Sequence, residues 1–336
     1  MKVHPIVYSV AALALLLLFN ALFTDGFFAI ELRDGRLYGS LVDVLNRAAP
    51  VMLLSLGMTL VIATRGVDLS VGAVMAIAGA VAAVLANGEP DKALGWLQVS
   101  HSVPLVVLCA LVVATLAGVF NGVLVGRFGV QPIVATLILM VAGRGVAQLV
   151  TEGQIVLFEN PSLELLANGS VAAVPTPVVI VTLAFVVVAV LVRKTALGLF
   201  IEAVGSNAKA ARLAGVASAG VVLAVYAVSG LMAGVAGVIA CANISAADSG
   251  TTGLYLELDA ILAVAVGGTS LAGGRFSLAG SLVGAILMQA LTTTILTRGV
   301  SPHATLVAKA LIIVAVILLQ SPALRASLRA PKEQAA

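Results

Sequence analysis

Long apolar runs recur along the whole chain and constrain its fold more than any other feature. Each run has about 18 to 23 residues, enough to cross a hydrocarbon core roughly 30 Å thick as an α-helix. Hydrophobic residues make up 61% of the 336 residues, whereas about half is usual in a soluble domain. A β-barrel would need shorter strands, of about 10 residues, with alternating polarity. The sequence therefore predicts an all-α integral membrane protein.

We predict about ten transmembrane helices, each an apolar run bounded by polar residues. They cover residues 6 to 23, 45 to 64, 69 to 87, 104 to 125, 131 to 150, 176 to 192, 220 to 243, 257 to 272, 278 to 297 and 304 to 320. The first run has no small-residue cleavage site after it and is too long for a signal peptide, so we expect a retained helix. The whole chain, 1 to 336, is expected to form one transmembrane domain.

Basic residues are distributed unevenly between the loops on the two sides. If the N-terminus is cytoplasmic, the inner side carries Lys2, Arg65, Arg127, Arg193, Lys194, Lys209, Arg212, Arg275, Arg325, Arg329 and Lys332. Lys and Arg favour the cytoplasmic side of a membrane protein, so we expect both termini in the cytoplasm of a multi-pass plasma (inner) membrane protein. The net charge of +3 follows from this topology and gives no indication of nucleic-acid binding. The outer loops 24 to 43, 88 to 103 and 151 to 174 are long enough for short interfacial helices.

One polar break between apolar runs contains the stretch VGSNAKAARLAGV, residues 204 to 216. Asn207 can cap a short helix that Gly215 ends, and Gly205 allows a sharp turn before it. The alanines of this helix would let another protein's backbone approach closely. The alternative is an ordinary amphipathic connector lying on lipid headgroups, although such a helix would favour large apolar residues.

No set of residues indicates catalysis or metal binding. The chain lacks a phosphate-binding loop of the form G-x-x-x-x-G-K-[ST], so we do not expect it to hydrolyse ATP. Cys109 and Cys241 lie inside apolar runs, and the three histidines have no ligand spacing. We therefore expect no cofactor, no metal and no enzymatic activity of its own.

The stretch VGSNAKAARLAGV resembles the coupling helix of ATP-binding cassette (ABC) importer permeases, in the branch that serves ribose, galactose and xylose. TRGVDLSVGAVMAIAGA (64 to 80) and LELDAILAVAVGGTSLAGGRFSLAGSLVGA (256 to 285) resemble the same branch. Within it, DGRLYGSLVDVLNRAAPV (34 to 51), RKTALGLFIEAVG (193 to 205) and GGRF (273 to 276) look most like permeases of galactofuranose importers. This chain has Arg65 where most of the family has Gly or Ala, and we expect that arginine to reach the cytoplasmic edge.

The resemblance implies a permease domain that imports a sugar, most similar to galactofuranose importers, with ribose, galactose or xylose as alternative substrates. It implies three partners: an ABC ATPase subunit, a periplasmic sugar-binding protein and a second, homologous permease subunit, all acting in a lipid membrane. The segment 193 to 219 would be the cytoplasmic coupling segment. Its residues expected to couple to the ATPase are Gly205, Asn207, Ala210, Ala211, Arg212 and Gly215.

Polar residues within the apolar runs are candidates for the substrate pathway, because such groups usually face the interior of a helix bundle. The candidates are Asn46, Asn121, Gln148, Asn243 and Asp248. Each could instead brace a neighbouring helix. An ion-coupled secondary transporter is the competing class, but it would place coupling carboxylates near the membrane midplane. The acidic residues here lie toward the boundaries, which counts against it.

Overall fold

The computed structural model describes residues 6–24, 26–33, 35–88 and 102–299, together with 301, 304, 306, 307, 309–311 and 314. The helices, in chain order, are α1 (Ile6–Phe23), α2 (Ser40–Ala63), α3 (Val71–Asn87), α4 (Val103–Gly126), α5 (Pro132–Val150), α6 (Pro161–Asn168), α7 (Thr176–Lys194), α8 (Leu197–Leu213), α9 (Ser218–Ile244), α10 (Leu256–Val266) and α11 (Leu278–Thr297). Six short strands accompany them: β1 (Glu31–Arg33), β2 (Arg36–Tyr38), β3 (Val156–Leu157), β4 (Ser170–Val171), β5 (Val174–Pro175) and β6 (Ala246–Ala247).

The described residues contain seven helices long and apolar enough to cross a membrane: α1, α2, α4, α5, α7, α9 and α11. Three of the ten predicted spans account for the difference. The span 69 to 87 appears as α3, which has 17 residues. The span 257 to 272 was predicted too long, because α10 ends at Val266, before the glycine pair Gly267 and Gly268. The span 304 to 320 lies largely outside the described residues.

The α2 and α3 helices form the centre of the bundle, and the outer helices surround them. Of the most apolar 18 residues of α2, 78% are buried, against 11% for α1 and 17% for α7. The residues of α3 are mostly alanine, glycine and valine, and all those from Val71 to Ala86 are buried. Small side chains let helices approach closely where lipid gives no hydrophobic driving force between them. The apolar side chains exposed on α1, α5 and α7 suit contact with lipid.

Two glycines bring α4 and α9 into close contact. A Cβ on Gly118 would meet the carbonyl oxygen of Tyr226 and would lie 3.0 Å from Gly230 Cα. A Cβ on Gly230 would meet the carbonyl oxygen of Ala114 and would lie 2.9 Å from Gly118 Cα. Each glycine therefore occupies the space that a side chain on the other would need.

The two ends of the bundle differ in structure, and we name them by their elements. At the hairpin end, β1 pairs with β2, β4 with β5, and β3 with β6, all antiparallel. At the α8 end lie α8, the α2–α3 turn (64–70) and the α10–α11 loop (267–277). The segment 24 to 43 is long enough for an interfacial helix, but Gly35 with φ +73° turns it into the β1–β2 hairpin instead. In 151 to 174 the structure has α6 and part of a hairpin, and 89–101 lie outside the described residues.

Candidate functional site

The α8 helix is divided at Asn207, whose backbone is extended with φ −159° and ψ 99°. The Asn207 Oδ1 atom accepts hydrogen bonds from the backbone N–H groups of Lys209 and Ala210, at 3.1 and 3.0 Å. Asn207 thus starts a new short helix as its cap, as the sequence predicts. Gly215 follows this helix in the left-handed region with φ +85°, and the Val216 N–H donates to the Ala211 carbonyl at 2.9 Å. The predicted ending by Gly215 is therefore also confirmed as local structure.

The six residues predicted to couple to an ATPase divide into an exposed and a buried set. Asn207, Ala210, Arg212 and Gly215 are exposed, whereas Gly205 and Ala211 are buried. Leu213, in the same short helix, is 91% exposed. An isolated leucine this exposed is a candidate contact for a partner. Its side chain is larger than those of the alanines in the same short helix. Only its position just before the helix end could have indicated it.

Gly205 lies at a junction of three backbone segments at the α8 end. A Cβ on Gly205 would collide with the Ala63 carbonyl oxygen at the end of α2, and it would lie 2.7 Å from the Gly274 nitrogen in the α10–α11 loop. The Gly274 N–H in turn donates to that Ala63 carbonyl at 2.9 Å. The predicted sharp turn at Gly205 was wrong, because Gly205 is helical and α8 breaks at Asn207. Gly205 is instead required for close approach of the three segments.

Arg65 connects the same three segments through its side chain. Its guanidinium donates to the Ser206 carbonyl at 2.6 Å through Nη2 and to the Ala272 carbonyl at 3.0 Å through Nε. Arg65 is exposed, which agrees with the expectation that it reaches the edge of the bundle. The acceptors lie 141 and 207 residues away along the chain, so no local pattern could reveal them.

Asn121, a pathway candidate, belongs to a buried hydrogen-bond network beside the α2–α3 turn. Its Nδ2 donates to Ser70 Oγ at 2.8 Å, and Ser70 Oγ donates to Asp68 Oδ1 at 2.6 Å. The Ser229 hydroxyl on α9 donates to Asp68 Oδ2 at 2.9 Å. Asn121 is fully buried and thus fixes the turn against α4 and α9.

The helices α3 and α11 begin with different caps. Ser277 caps α11, since its Oγ accepts from the Gly280 N–H at 3.1 Å. Asp68 does not cap α3 directly: its Oδ1 accepts from the Ser70 N–H at 3.0 Å, and α3 begins one residue later.

Asn46 and Asn243 meet at the hairpin end, where they line one cavity of about 260 Å³ together with Arg47 and Gln289. Asn46 also lines a second cavity, of about 270 Å³, under the hairpins. A third, of about 360 Å³, shares Arg47 and Gln289 with the first. These cavities share lining residues, and together we call them the vestibule. Asn46 Oδ1 is buried at the border of the vestibule and has no hydrogen-bond partner among the described residues, which is unusual for a buried polar atom.

The remaining two pathway candidates lie away from the vestibule. Gln148 is exposed on α5. Asp248 follows β6 and accepts hydrogen bonds from the Gly250 N–H at 2.9 Å and the Thr251 hydroxyl at 2.6 Å. These donors, the Thr251 hydroxyl foremost, hold the pKa of the Asp248 carboxyl below its usual value. Asp248 thus closes a turn. The polar residues that line the first cavity beside Asn46 and Asn243 are Arg47 and Gln289.

Two charged groups on the apolar helices have structural partners. Arg144 Nη1 on α5 donates to the Ser249 carbonyl at 3.2 Å and also to the Thr252 carbonyl. Lys309 Nζ lies 2.8 Å from Asp259 Oδ2, with side chains 11% and 17% exposed. Asp259, in the first turn of α10, is therefore paired with a cation from the segment after α11. Within the described ranges, no group of three His, Cys, Asp or Glu residues could hold a metal ion.

Apolar helices around a buried centre, a polar vestibule at one end and an exposed divided helix at the other define a multi-pass membrane protein of the transport class. The chain belongs to the family described as "Branched-chain amino acid transport system / permease component", which matches residues 40–319. The prediction of a transport subunit rather than an enzyme is confirmed by this membership.

Curated relatives cover nearly the whole chain. The galactofuranose transporter permease protein YtfT of Escherichia coli (strain K12) is 52% identical over 310 residues, 92% of this chain and 88% of the relative. The fructose import permease protein FruF of Bifidobacterium longum (strain NCC 2705) is 41% identical, covering 94% and 87%. The ribose import permease protein RbsC of E. coli (strain K12) is 35% identical, covering 93% and 92%. The predicted resemblance to sugar-importer permeases, with galactofuranose permeases more similar than ribose permeases, is confirmed. No solved structure matches the chain significantly.

Proposed function

We propose that this protein is the transmembrane permease subunit of an ABC sugar importer and that its substrate is galactofuranose. The observation that carries the proposal is the identity of 52% to a galactofuranose permease along 92% of the chain. The sugar would cross by alternating access, driven by a separate ATPase subunit. The family description mentions amino acids, but the relatives at 52, 41 and 35% identity are all named for sugars.

The α8 end would be cytoplasmic, and the segment 193 to 219 would couple the chain to the ATPase. The exposed residues Asn207, Ala210, Arg212 and Leu213 form the contact surface in this proposal. Arg212 can pair with acidic groups of the ATPase, and Leu213 can fill an apolar cleft. Large apolar residues and arginine are the residues that anchor many interfaces, usually near their centre. Gly205 and Ala211, which are buried, would instead transmit the movement into the bundle.

The hairpin end would face the periplasm and receive sugar from a soluble binding protein. The first cavity of the vestibule suits such a guest because its polar side chains are three uncharged amides, Asn46, Asn243 and Gln289, beside Arg47. Amides exchange hydrogen bonds with hydroxyl groups without holding them as tightly as a charged site would. This matters because a transported molecule must leave as well as enter.

The domain would comprise residues 1 to 336 with ten membrane crossings in which α3 and α10 are short members, and with both termini in the cytoplasm. The basic residues of the α8 end support this orientation. A second, homologous permease would complete the translocation pore. The exposed Gln148 on α5 supports this partner, because an amide facing lipid would be costly.

The test of the proposed function is uptake into proteoliposomes that contain this chain, a second permease and the ATPase, with the binding protein supplied. We expect uptake of radiolabelled galactofuranose that requires ATP and resists competition by ribose, galactopyranose and leucine. Competition by ribose or galactopyranose would keep the importer and change the sugar, and competition by leucine would favour an amino-acid substrate. Uptake that ignores ATP but stops when an ion gradient is collapsed would identify a secondary transporter instead.

The coupling surface has a separate test in Arg212→Glu. The reversed charge should abolish ATP-dependent uptake while leaving insertion and thermal stability unchanged, because Arg212 is exposed. Arg212→Lys, which keeps the charge, is the matched control and should retain most uptake. Normal uptake by the glutamate variant would remove Arg212 from the interface.

A further inference from the structure

Arg65 occupies a backbone conformation that most residues avoid. Its φ is +65°, in the left-handed region where an L-residue with a Cβ is disfavoured and glycine is not. The turn itself would therefore form at least as readily with glycine. An arginine at this position must contribute through its side chain.

The Arg65 side chain donates hydrogen bonds to two segments outside the α2–α3 pair. The Ser206 carbonyl is in α8, one residue before the extended Asn207, and the Ala272 carbonyl is in the α10–α11 loop. Both acceptors are main-chain atoms, so these bonds report the position of the backbone itself. Bonds from a guanidinium are stronger than those between neutral groups.

The backbone packing at the same place is close enough to transmit displacement. Besides the contact of Gly205 with Ala63, a Cβ on Gly273 would collide with Arg65 Cγ and would lie 3.1 Å from the Gly205 oxygen. Gly273 and Gly274 have φ of +82° and +92°, which fold the loop around the arginine. Only glycines leave room for three backbones and one arginine stem.

We infer that Arg65 is a positioning residue that makes α8, the α2–α3 turn and the α10–α11 loop one rigid body, here called the Arg65 junction. The inference rests on the proposed function of α8 as the segment that couples to the ATPase. A displacement of α8 then reaches α2 directly through Ala63 and reaches the α10–α11 loop through Ala272 and Gly274. The helices α2 and α11, which contribute Asn46 and Gln289 to the vestibule, therefore receive the movement together.

The test compares Arg65→Gly with Arg65→Lys and with the control Arg127→Ala. Glycine removes the guanidinium and suits the left-handed backbone, so the variant should insert and keep its thermal stability. Lysine keeps the charge, but its single ammonium cannot donate to both carbonyls in the fork geometry. Arg127 is an exposed arginine after α4, at the same end of the bundle, without a hydrogen bond to another segment in the described part of the chain.

The first readout is hydrogen exchange of the purified chain, which needs no partner or substrate. In Arg65→Gly, amides of 205–210 and of 270–275, including the Gly274 N–H that bonds to Ala63, should exchange at least tenfold faster. Arg65→Lys should lie between, and Arg127→Ala should match the wild type. If the Gly274 N–H of the Arg65→Gly variant exchanged at the same rate as in the wild type, the inference of an Arg65 junction would be overturned.

The second readout is the amount of galactofuranose imported per ATP hydrolysed by the full complex. Arg65→Gly should lower this ratio at least fivefold while ATP hydrolysis stays within twofold of the wild type, because the ATPases still close but move the bundle incompletely. An unchanged ratio, or an equal fall of uptake and hydrolysis, would contradict the inference. If the wild type itself showed no ATP-dependent uptake, the proposed function would fail, and the exchange experiment would still decide whether the junction exists.

Discussion

The Arg65 junction at the α8 end and the vestibule at the hairpin end differ in how their backbones and polar groups are packed. At the α8 end, backbones touch through Gly205 and Gly274, and the Arg65 guanidinium bonds to two carbonyls. At the hairpin end, polar side chains border cavities that share lining residues, and Asn46 Oδ1 has no partner among the described residues. In the proposed function, the close contacts would transmit movement and the cavities would receive the sugar. The comparison then teaches that coupling and substrate handling would be separated along the length of the same helices.

The largest effect should follow from placing a methyl group at the close contact of the α8 end. In Gly205→Ala the new Cβ would meet the Ala63 carbonyl, and overpacking of this kind costs about 1–3 kcal/mol. We expect the segment to separate from α2 and ATP-dependent uptake to fall at least tenfold. Uptake assays with a thermal melt in detergent measure both consequences.

Gly220→Ala is the matched control, because a Cβ there has no neighbour nearer than 3.9 Å. Gly220 lies in α9, where alanine is favoured over glycine by roughly 1 kcal/mol. Full uptake and equal or higher stability are expected. If Gly205→Ala behaved like this control, the α8 end would not depend on close contact.

The second effect concerns Asn121, which donates to Ser70 in the buried network beside the α2–α3 turn. Asn121→Leu would leave the Ser70 hydroxyl without this donor, and losing one partner of a buried hydrogen bond costs about 1–3 kcal/mol. The variant should melt at a lower temperature, with the affinity for sugar little changed. A change in sugar affinity at normal stability would instead place Asn121 in the pathway.

The third effect is the counterpart at the hairpin end, Asn46→Leu. The Asn46 Oδ1 accepts no bond from the described residues, so its removal should leave stability unchanged or slightly raised. If the vestibule binds sugar, the half-saturating concentration for uptake should rise about threefold to tenfold, as for the loss of one hydrogen bond worth about 1 kcal/mol. Asn46→Gln, which retains the amide, should lie closer to the wild type. If Asn46→Leu lowered the stability and left uptake normal, Asn46 would behave like Asn121, and the contrast between them would be lost.

The smallest effect should come from Thr251→Val at the hairpin end. The Thr251 hydroxyl lowers the pKa of Asp248, so it stabilises the folded protein above the unfolded pKa of about 3.9 and ceases to do so as the pH falls further. The variant should therefore melt slightly below the wild type at neutral pH, and the difference should close under acid conditions. Melting curves between about pH 3 and pH 7 test this, and a constant difference would contradict it.

Much of the fold could be predicted from hydropathy, because long apolar helices reveal themselves locally. The predicted span 6 to 23 coincides with α1, and 278 to 297 with α11. The eighth span was overextended, since apolar residues continue past the glycine pair that ends α10. The hairpins were missed because each has only two or three residues per strand, too few for an alternating pattern.

The candidate site was less predictable, for a different physical reason. The caps Asn207 and Gly215 depend on neighbours within a few residues, so the sequence indicated both. The partners of Arg65 and Asn121 depend on how distant helices pack. Hydropathy places Asn46 and Asn121 within apolar segments, but it does not show that Asn46 borders a cavity or that Asn121 donates to Ser70 while its own Oδ1 has no partner among the described residues.

The glycine contact between α4 and α9 has a consequence for how this protein can evolve. Since Gly118 and Gly230 each fill the space that a side chain on the other would need, neither position can gain a methyl group alone without separating the helices. A change at one becomes acceptable only after the backbones have moved apart, which then frees the other. The two positions should therefore vary together among relatives or remain glycine in both, so that they are inherited as one unit.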